Sequence, residues 1–326
     1  MSIIGERIGS AMKERTVLVT GGAGFIGSHL CEGLLQRGHR VVCFDNLSTG
    51  LRQNIAALEP KKNFHFIQGD VNTPDLDAVF REYPIEWVFH HAAVVGVWQT
   101  LEQPLLVLND IKGIHNILEL GRKHNVQKLV FASSSEVYGE PLELPEREDG
   151  PWNAKLPYAI TKLVGESYFQ SYYKAYGIPT CSLRLFNVYG PRQRSDAYGF
   201  VVGIFIQQCL QNKQPTIFGN GKQTRDFVFI KDNVEATIRA MEKNETNGKV
   251  INVGTGRKMT ILELARMVIR LTGEKIKPRF LPKREHDVLR RYPSVEKMKE
   301  LLQFECRYTL QRGLQETIRW YQHEKG

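Results

Sequence analysis

The stretch Thr16-Val17-Leu18-Val19-Thr20-Gly21-Gly22-Ala23-Gly24-Phe25-Ile26-Gly27 decides the fold. A short apolar run of β type from Arg15 to Thr20 meets a glycine loop, and helical spacing then continues from about Phe25 to Arg37, before Gly38. Gly21, Gly24 and Gly27 stand in G-x-x-G-x-x-G spacing between strand and helix. Missing side chains there let the backbone approach a pyrophosphate at the helix N-terminus. The context, a strand before and a helix after, is what gives the pattern its meaning.

The same texture recurs outward from this unit. Val41 to Asp45, Phe64 to Asp70, Trp87 to Ala92, Lys128 to Ser133 and Thr180 to Phe186 are short apolar runs ending in small or polar residues, with helical segments between them. That alternation predicts an α/β chain with a doubly wound parallel sheet, whose ligands bind beyond the carboxyl ends of the strands. Asp45 ends the second run, 18 residues after Gly27, where its carboxylate would accept bonds from the ribose hydroxyls and repel a 2′-phosphate, so NAD is expected over NADP. Asp70 and Val71 would contact the adenine, with a turn cap as the alternative for Asp70; Ala92 and Ala93 are small enough for close approach. After Asn187 the chain turns to Gly-, Pro- and Arg-rich loops, with helices near Phe200 to Gln211, Lys231 to Lys243, Ile261 to Leu271 and Val295 to Leu302. The expected organisation is an extension at 1–14, a nucleotide-binding domain at 15–186, and a smaller, partly interleaved lobe at 187–326.

Bulk properties narrow the classes. The 326 residues are 42% hydrophobic, enough for a substantial core. No apolar run approaches the about 20 residues a bilayer span needs, and Met1 to Arg15 lacks the apolar stretch of a secretory signal, so no membrane is expected. Five scattered cysteines, none in CxxC spacing, predict reduced thiols, a cytoplasmic location and no zinc site. The adjacent His90 and His91 point to opposite faces of a strand and make a poor chelate, so no metal is expected. Of the net charge of +9, the segment from Arg257 to Gly326 carries 17 Lys+Arg against 9 Asp+Glu. No basic run is interleaved with aromatics, so this reads as a solvated face partly turned towards an anionic small substrate, not a nucleic-acid surface.

Tyr158 and Lys162 lie four residues apart, on one helix face, so the ammonium can sit beneath the phenol and favour its ionised form. Bringing a phenol from about 10 to about 7 requires ~4 kcal/mol, at ~1.36 kcal/mol per unit. Tyr158 is thus a candidate base.

Together with Asp45-Asn46, Gly69-Asp70-Val71, His91-Ala92-Ala93, Ser133-Ser134-Ser135-Glu136-Val137-Tyr138-Gly139, Arg184 to Arg192, Thr224-Arg225-Asp226-Phe227 and Asn252 to Gly256, these motifs resemble the extended short-chain dehydrogenase/reductase family, and within it the NAD-dependent nucleotide-sugar epimerase/dehydratase branch. The resemblance implies a Rossmann-type sheet, NAD bound by Gly21, Gly24, Phe25, Ile26, Gly27, Asp45, Asn46, Asp70, Val71, Ala92, Ala93, Tyr158 and Lys162, and oxidation of a nucleoside-diphosphate sugar at C4. It makes Tyr158 the proton acceptor, gives Lys162 the nicotinamide ribose, and gives Ser134 the reacting oxygen. Asn187, Arg192, Arg225 and Arg291 match positions near the diphosphate, and guanidinium forks suit phosphate oxygens. Asp110 departs from the family's usual Asn.

Glu136 divides the reactions. Elimination needs a second acid or base, and 4,6-dehydratases and UDP-glucuronate decarboxylases carry a glutamate here; many 4-epimerases do not. Yet Ser134-Ser135-Glu136 differs from the dehydratase triplet, Val94 to Trp98 lacks the decarboxylase Pro and Tyr, and Arg291-Tyr292-Pro293 resembles the decarboxylase Arg-x-Pro. A UDP-sugar 4-epimerase is the first expectation, with dehydratase or decarboxylase as alternatives and a reductase that releases its cofactor or a non-catalytic dinucleotide-binding regulator more remote. The resemblance also implies a homodimer through the helices near Leu105 to His124 and Tyr158 to Tyr176, and the second of these shows Tyr168, Phe169, Tyr172 and Tyr173 around its surface, a patch that a partner would cover.

Overall fold

The computed structural model describes residues 13–94, 100, 102–196, 199–284 and 288–323. Its centre is a seven-stranded sheet in the order β11-β6-β5-β4-β1-β2-β3, formed by Thr16–Thr20 (β1), Arg40–Asp45 (β2), Phe64–Gln68 (β3), Trp87–His90 (β4), Lys128–Ser134 (β5), Thr180–Leu185 (β6) and Lys249–Val253 (β11). Every pairing is parallel. The order reverses on either side of β1, so the crevice for a ligand opens between the carboxyl ends of β1 and β4.

The strands are apolar on both faces because both are covered. Val17, Val19, Val41, Cys43, Phe89 and Val130 face one core with Leu30 and Leu34 of the helix Phe25–Gln36 (α1) and Ile238 of Ile230–Glu242 (α6). Leu18, Val42, Phe44, Val88, Leu129 and Phe131 face the other, with Leu76 of Asp75–Glu82 (α2), Ile114 and Ile117 of Leu108–Lys123 (α3), and Phe169 of Pro157–Tyr176 (α4). Phe169 therefore lies in the core against Phe131, ring centroids 5.0 Å apart, and not on the helix surface as expected. Tyr172 is half-buried, and its hydroxyl donates to Glu119 at 2.5 Å. Tyr168 remains 54% exposed.

The remaining helices are Val201–Leu210 (α5), Ile261–Thr272 (α7), Glu296–Leu302 (α8) and Leu310–His323 (α9). Short strands pair two by two: Val188–Tyr189 (β7) with Val228–Phe229 (β10), Thr216–Phe218 (β8) with Arg279–Leu281 (β13), and Thr224–Arg225 (β9) with Met259–Thr260 (β12). The late segment is interleaved through β11, which completes the main sheet beside β6, and α6, which packs on α1. Its apolar residues and those of β1 share one core. Residues 1–12 of the expected extension and 95–98 of the loop after Val94 lie outside the described residues. Among those described, no helix is long and apolar enough to cross a membrane.

Arg184 on β6 and Glu166 on α4 form a buried bidentate pair, Nε to Oε1 at 2.9 Å and Nη2 to Oε2 at 2.7 Å. Removing one member leaves a buried charge unpaired. Glu166→Ala should therefore lower stability by about 3–5 kcal/mol in urea titration; a change below about 1 kcal/mol would show that water reaches the pair.

Candidate active site

The glycine loop is shaped by steric need. Gly21 has φ +68°, and a Cβ on it would lie 2.7 Å from Ala92 N; a Cβ on Gly27 would lie 2.1 Å from the Gly21 carbonyl oxygen. The loop thus folds tightly onto itself and onto the end of β4, where Ala92 N donates to Thr20 Oγ1 at 3.3 Å. Phe25 and Ile26 are half-buried and pack against the edge of the core. The first turn of α1 has no capping side chain and no acidic residue, so its amides are available to an anion. Gly24 serves as the N-cap.

Asp45 ends β2, with Oδ2 accepting from Ala23 N at 3.0 Å and Oδ1 from Leu47 N at 2.8 Å. The carboxylate ties down the glycine loop while leaving further lone pairs for a ligand. Burial raises its pKa, and those backbone donors oppose the rise. Asp70 accepts from Asn46 Nδ2 at 2.9 Å and from Asn72 N at 2.8 Å, so it caps a turn and also joins the ends of β2 and β3. Val71 is buried, and its carbonyl accepts from Asn116 Nδ2 at 2.8 Å. Ala92 and Ala93 are half-buried beside Thr20, whose hydroxyl meets His90 Nδ1 at 2.8 Å. Burial and the neighbouring Lys162 push His90 and His91 down to about 3, so both are neutral. Among the described residues no group of three His, Cys, Asp or Glu is placed to hold a metal ion.

Beyond β5, Ser134 Oγ accepts from Glu136 N at 3.2 Å, and its side chain hydrogen-bonds the Tyr158 phenol. Lys162 Nζ lies 5.5 Å from the Tyr158 ring centroid and 5.0 Å from that of Phe131. The sequence reading has Lys162 lowering the phenol pKa, and here the balance differs. Burial raises Tyr158, the Ser134 hydrogen bond opposes this, and the negative fields of Glu136 and Asp110 add to the rise. Burial also brings Lys162 down to about 8, with Asp110 and Glu166 opposing. Asp110, buried, takes Val94 N on both carboxylate oxygens at 3.1 Å and is raised to about 6 by burial.

The structure brings Arg225 and Arg291 to Glu136. Arg291, 1% exposed, donates Nη1 to Glu136 Oε1, Nη2 to Glu136 Oε2 at 3.3 Å, and Nη2 to the Gly139 carbonyl at 3.0 Å. Arg225 Nη1 donates to the Thr224 and Val288 carbonyls at 2.8 and 2.7 Å, and its charge reaches Glu136. Although burial works against ionisation, the two arginines hold the Glu136 carboxyl below its usual range. Asn187 Nδ2 donates to the Asp226 carbonyl at 2.9 Å, next to Arg225. Arg192 sits elsewhere: with φ +65° it turns onto α1, donating to Glu32 at 2.9 Å and Ser28 Oγ at 3.3 Å, on the cofactor side.

Sequence reasoning missed Glu146 and Glu166. Glu166 repeats the four-residue spacing of Tyr158 and Lys162, a signal that was there to read. Glu146, in a charged loop, gives none, yet it is 2% exposed beside Arg291.

The model of the NAD-dependent epimerase/dehydratase family matches residues 17–254. The chain belongs to this family. It is 39% identical over 307 residues to a putative UDP-glucose 4-epimerase of Methanocaldococcus jannaschii, covering 93% of this chain and 97% of that one. It is 36% identical to a UDP-N-acetyl-α-D-glucosaminuronate decarboxylase of Bacillus cytotoxicus, with 95% and 98% covered. The solved UDP-glucose 4-epimerase of Thermotoga maritima, with UDP-glucose, superposes with a TM-score of 0.91 at 34% identity, covering 95% of this chain and all of that one. The cofactor of this family is NAD, and the glycine cradle with the open amides of α1 fits it.

If the Asp45 carboxylate at the end of β2 takes the ribose hydroxyls, NAD should bind at least about tenfold more tightly than NADP in parallel fluorescence titrations, and tighter NADP binding would remove that role from Asp45.

Proposed function

We propose that the protein is a UDP-sugar 4-epimerase, using NAD and acting at C4 of the sugar. The observation that carries this reading is the pairing of Glu136: both its carboxylate oxygens are engaged by Arg291, which leaves Tyr158, beside Ser134, as the acid/base group without such a partner. Epimerisation at C4 needs one such group, whereas elimination needs two. Bound in the glycine cradle, NAD+ supplies a hydride acceptor.

The chain's own residues then do the following. Ser134 holds the C4 oxygen in line with Tyr158, which takes the hydroxyl proton and later returns it. Lys162 lies under the phenol, where its charge and that of the cofactor favour the phenolate against burial and the fields of Glu136 and Asp110. Arg225 and Arg291 stand ready for the diphosphate. A lyase is the second reading, favoured by the field that Glu136 exerts at Tyr158.

Loss of the Tyr158 proton acceptor should cost about 10²- to 10⁴-fold in turnover, with substrate binding retained, when Tyr158→Phe is assayed on a panel of UDP-, dTDP- and GDP-sugars. Wild-type product should be isomeric with its substrate by mass and NMR. A product lighter by water or carbon dioxide would establish the lyase instead.

We also assign a homodimer and a cytoplasmic location. Leu105 (77% exposed), Leu108 (60%) and Ile160 (48%), with Tyr168, lie on or beside α3 and α4, which pack together, and such a patch favours a partner. All five cysteines are free thiols, in keeping with a reducing compartment. Light scattering at micromolar concentration should return twice the 37.3 kDa chain mass; a monomer mass would refute the pairing.

A further inference from the structure

Glu146 has no part in the chemistry above, yet its placement is tightly specified. Its backbone N–H donates to the Tyr292 carbonyl at 3.0 Å, and its own carbonyl accepts from Ser294 N at 2.8 Å and Asn252 Nδ2 at 3.0 Å. These bonds fix residue 146 alongside the segment that carries Arg291 and leave its carboxyl in the interior. Neither carboxyl oxygen has a hydrogen-bond partner, and neither has Arg291 Nε, which lies 3.9 Å from Glu146 Oε1. The guanidinium is thus bonded to Glu136 through Nη1 and Nη2, while its Nε faces Glu146. Arg225 and Glu136 add to the field at Glu146, and Glu140 adds to that at Arg291. Tyr138, Glu143 and Arg147 line a cavity of about 10 Å³ with Glu146, at the lower limit for a single water.

We propose that Glu146 is a positioning residue for Arg291: while Glu146 is uncharged the guanidinium is free to turn from Glu136 to an anionic substrate, and an ionised Glu146 draws it back. This rests on the reading of Arg291 as an arm for the nucleotide diphosphate. The physical reason is charge balance. If Arg291 moves towards phosphate while Glu146 is ionised, two buried carboxylates are left facing each other, which is costly in a medium of low polarity. If Glu146 carries a proton, only Glu136 gives up the guanidinium, and the charge of Arg225 still acts on it in favour of its anionic form. Burial, with the negative field of Glu136 behind it, pushes the Glu146 carboxyl up to about 8, with Arg291 and Arg225 opposing. Substrate affinity should therefore be full below pH 8 and decline as pH rises through it.

The test uses the NAD-loaded protein and UDP-glucose as the probe. Calorimetric affinity should fall by up to about tenfold per pH unit above pH 8 in wild type, the slope of one coupled proton, and stay flatter by that amount in Glu146→Gln. Lys162 titrates in the same range in both proteins, so the difference between them isolates Glu146. On wild type alone, binding at pH 8.5 in buffers of different ionisation enthalpy should reveal uptake of a fraction of a proton to one proton, a readout that survives even if the variant misfolds. Without ligand, a folded-state pKa above the unfolded value means stability is lost as pH rises from about 4.5 to about 8, so the melting temperature of wild type should fall relative to Glu146→Gln over that range and then run parallel. Binding without proton uptake, or with parallel affinity profiles in the two proteins, overturns the proposal alone. No binding of UDP-glucose at any pH overturns it together with the nucleotide reading.

Discussion

Behind Ser134, Tyr158 and Lys162 lies the ion pair of Arg184 and Glu166, and the geometry of the candidate site depends on it. Burying two charges costs several kcal/mol per ion, so such a pair persists only where every remaining donor and acceptor is matched. Here Glu166 also accepts from Ser133 Oγ at 2.5 Å, and Arg184 also reaches the Tyr138 hydroxyl at 2.8 Å. Tyr138 in turn donates to Asn252 at 2.8 Å. The network ties α4, which carries Tyr158 and Lys162, to β5, which carries Ser134, and to β6 and β11. A shift of one element along another would strand a buried charge. The register of the catalytic groups is thereby fixed from beneath.

The cofactor crevice is set by a different constraint, steric rather than electrostatic. Gly21 and Gly27 permit a backbone separation that any side chain would prevent, and Asp45 clamps the same loop through Ala23. The first-turn amides of α1 have no capping side chain, which suits them to an anion. One constraint shapes the cofactor cradle and the other places the proposed acid/base group, Tyr158. They meet at the ends of β1, β4 and β5, on either side of the sheet's reversal point.

Glu136 and Arg291 show how the late part of the chain alters chemistry written in the early part. Taken alone, Ser134-Ser135-Glu136 offers a second acid or base. The segment around residue 291 delivers a buried guanidinium to that carboxylate, and the pairing engages the carboxylate and holds it anionic. The same encounter favours the charged form of the guanidinium.

The sequence by itself determined what depends on local spacing: the strand, loop and helix of residues 16–36, the six strands from β1 to β6, the helical spacing of Tyr158 and Lys162, and the demand for glycine at residues 21 and 27. These follow from periodicity and from atoms that are absent, which a one-dimensional reading registers directly. Tertiary structure alone decided that Lys249–Val253 completes the sheet, that Phe169 is core, that Arg192 turns to α1, and that Glu146 is buried next to Arg291. Each of these depends on a partner distant in the chain. A charge or an aromatic ring reads the same in sequence whether it meets water or a buried guanidinium, and only the packed chain supplies that difference in free energy.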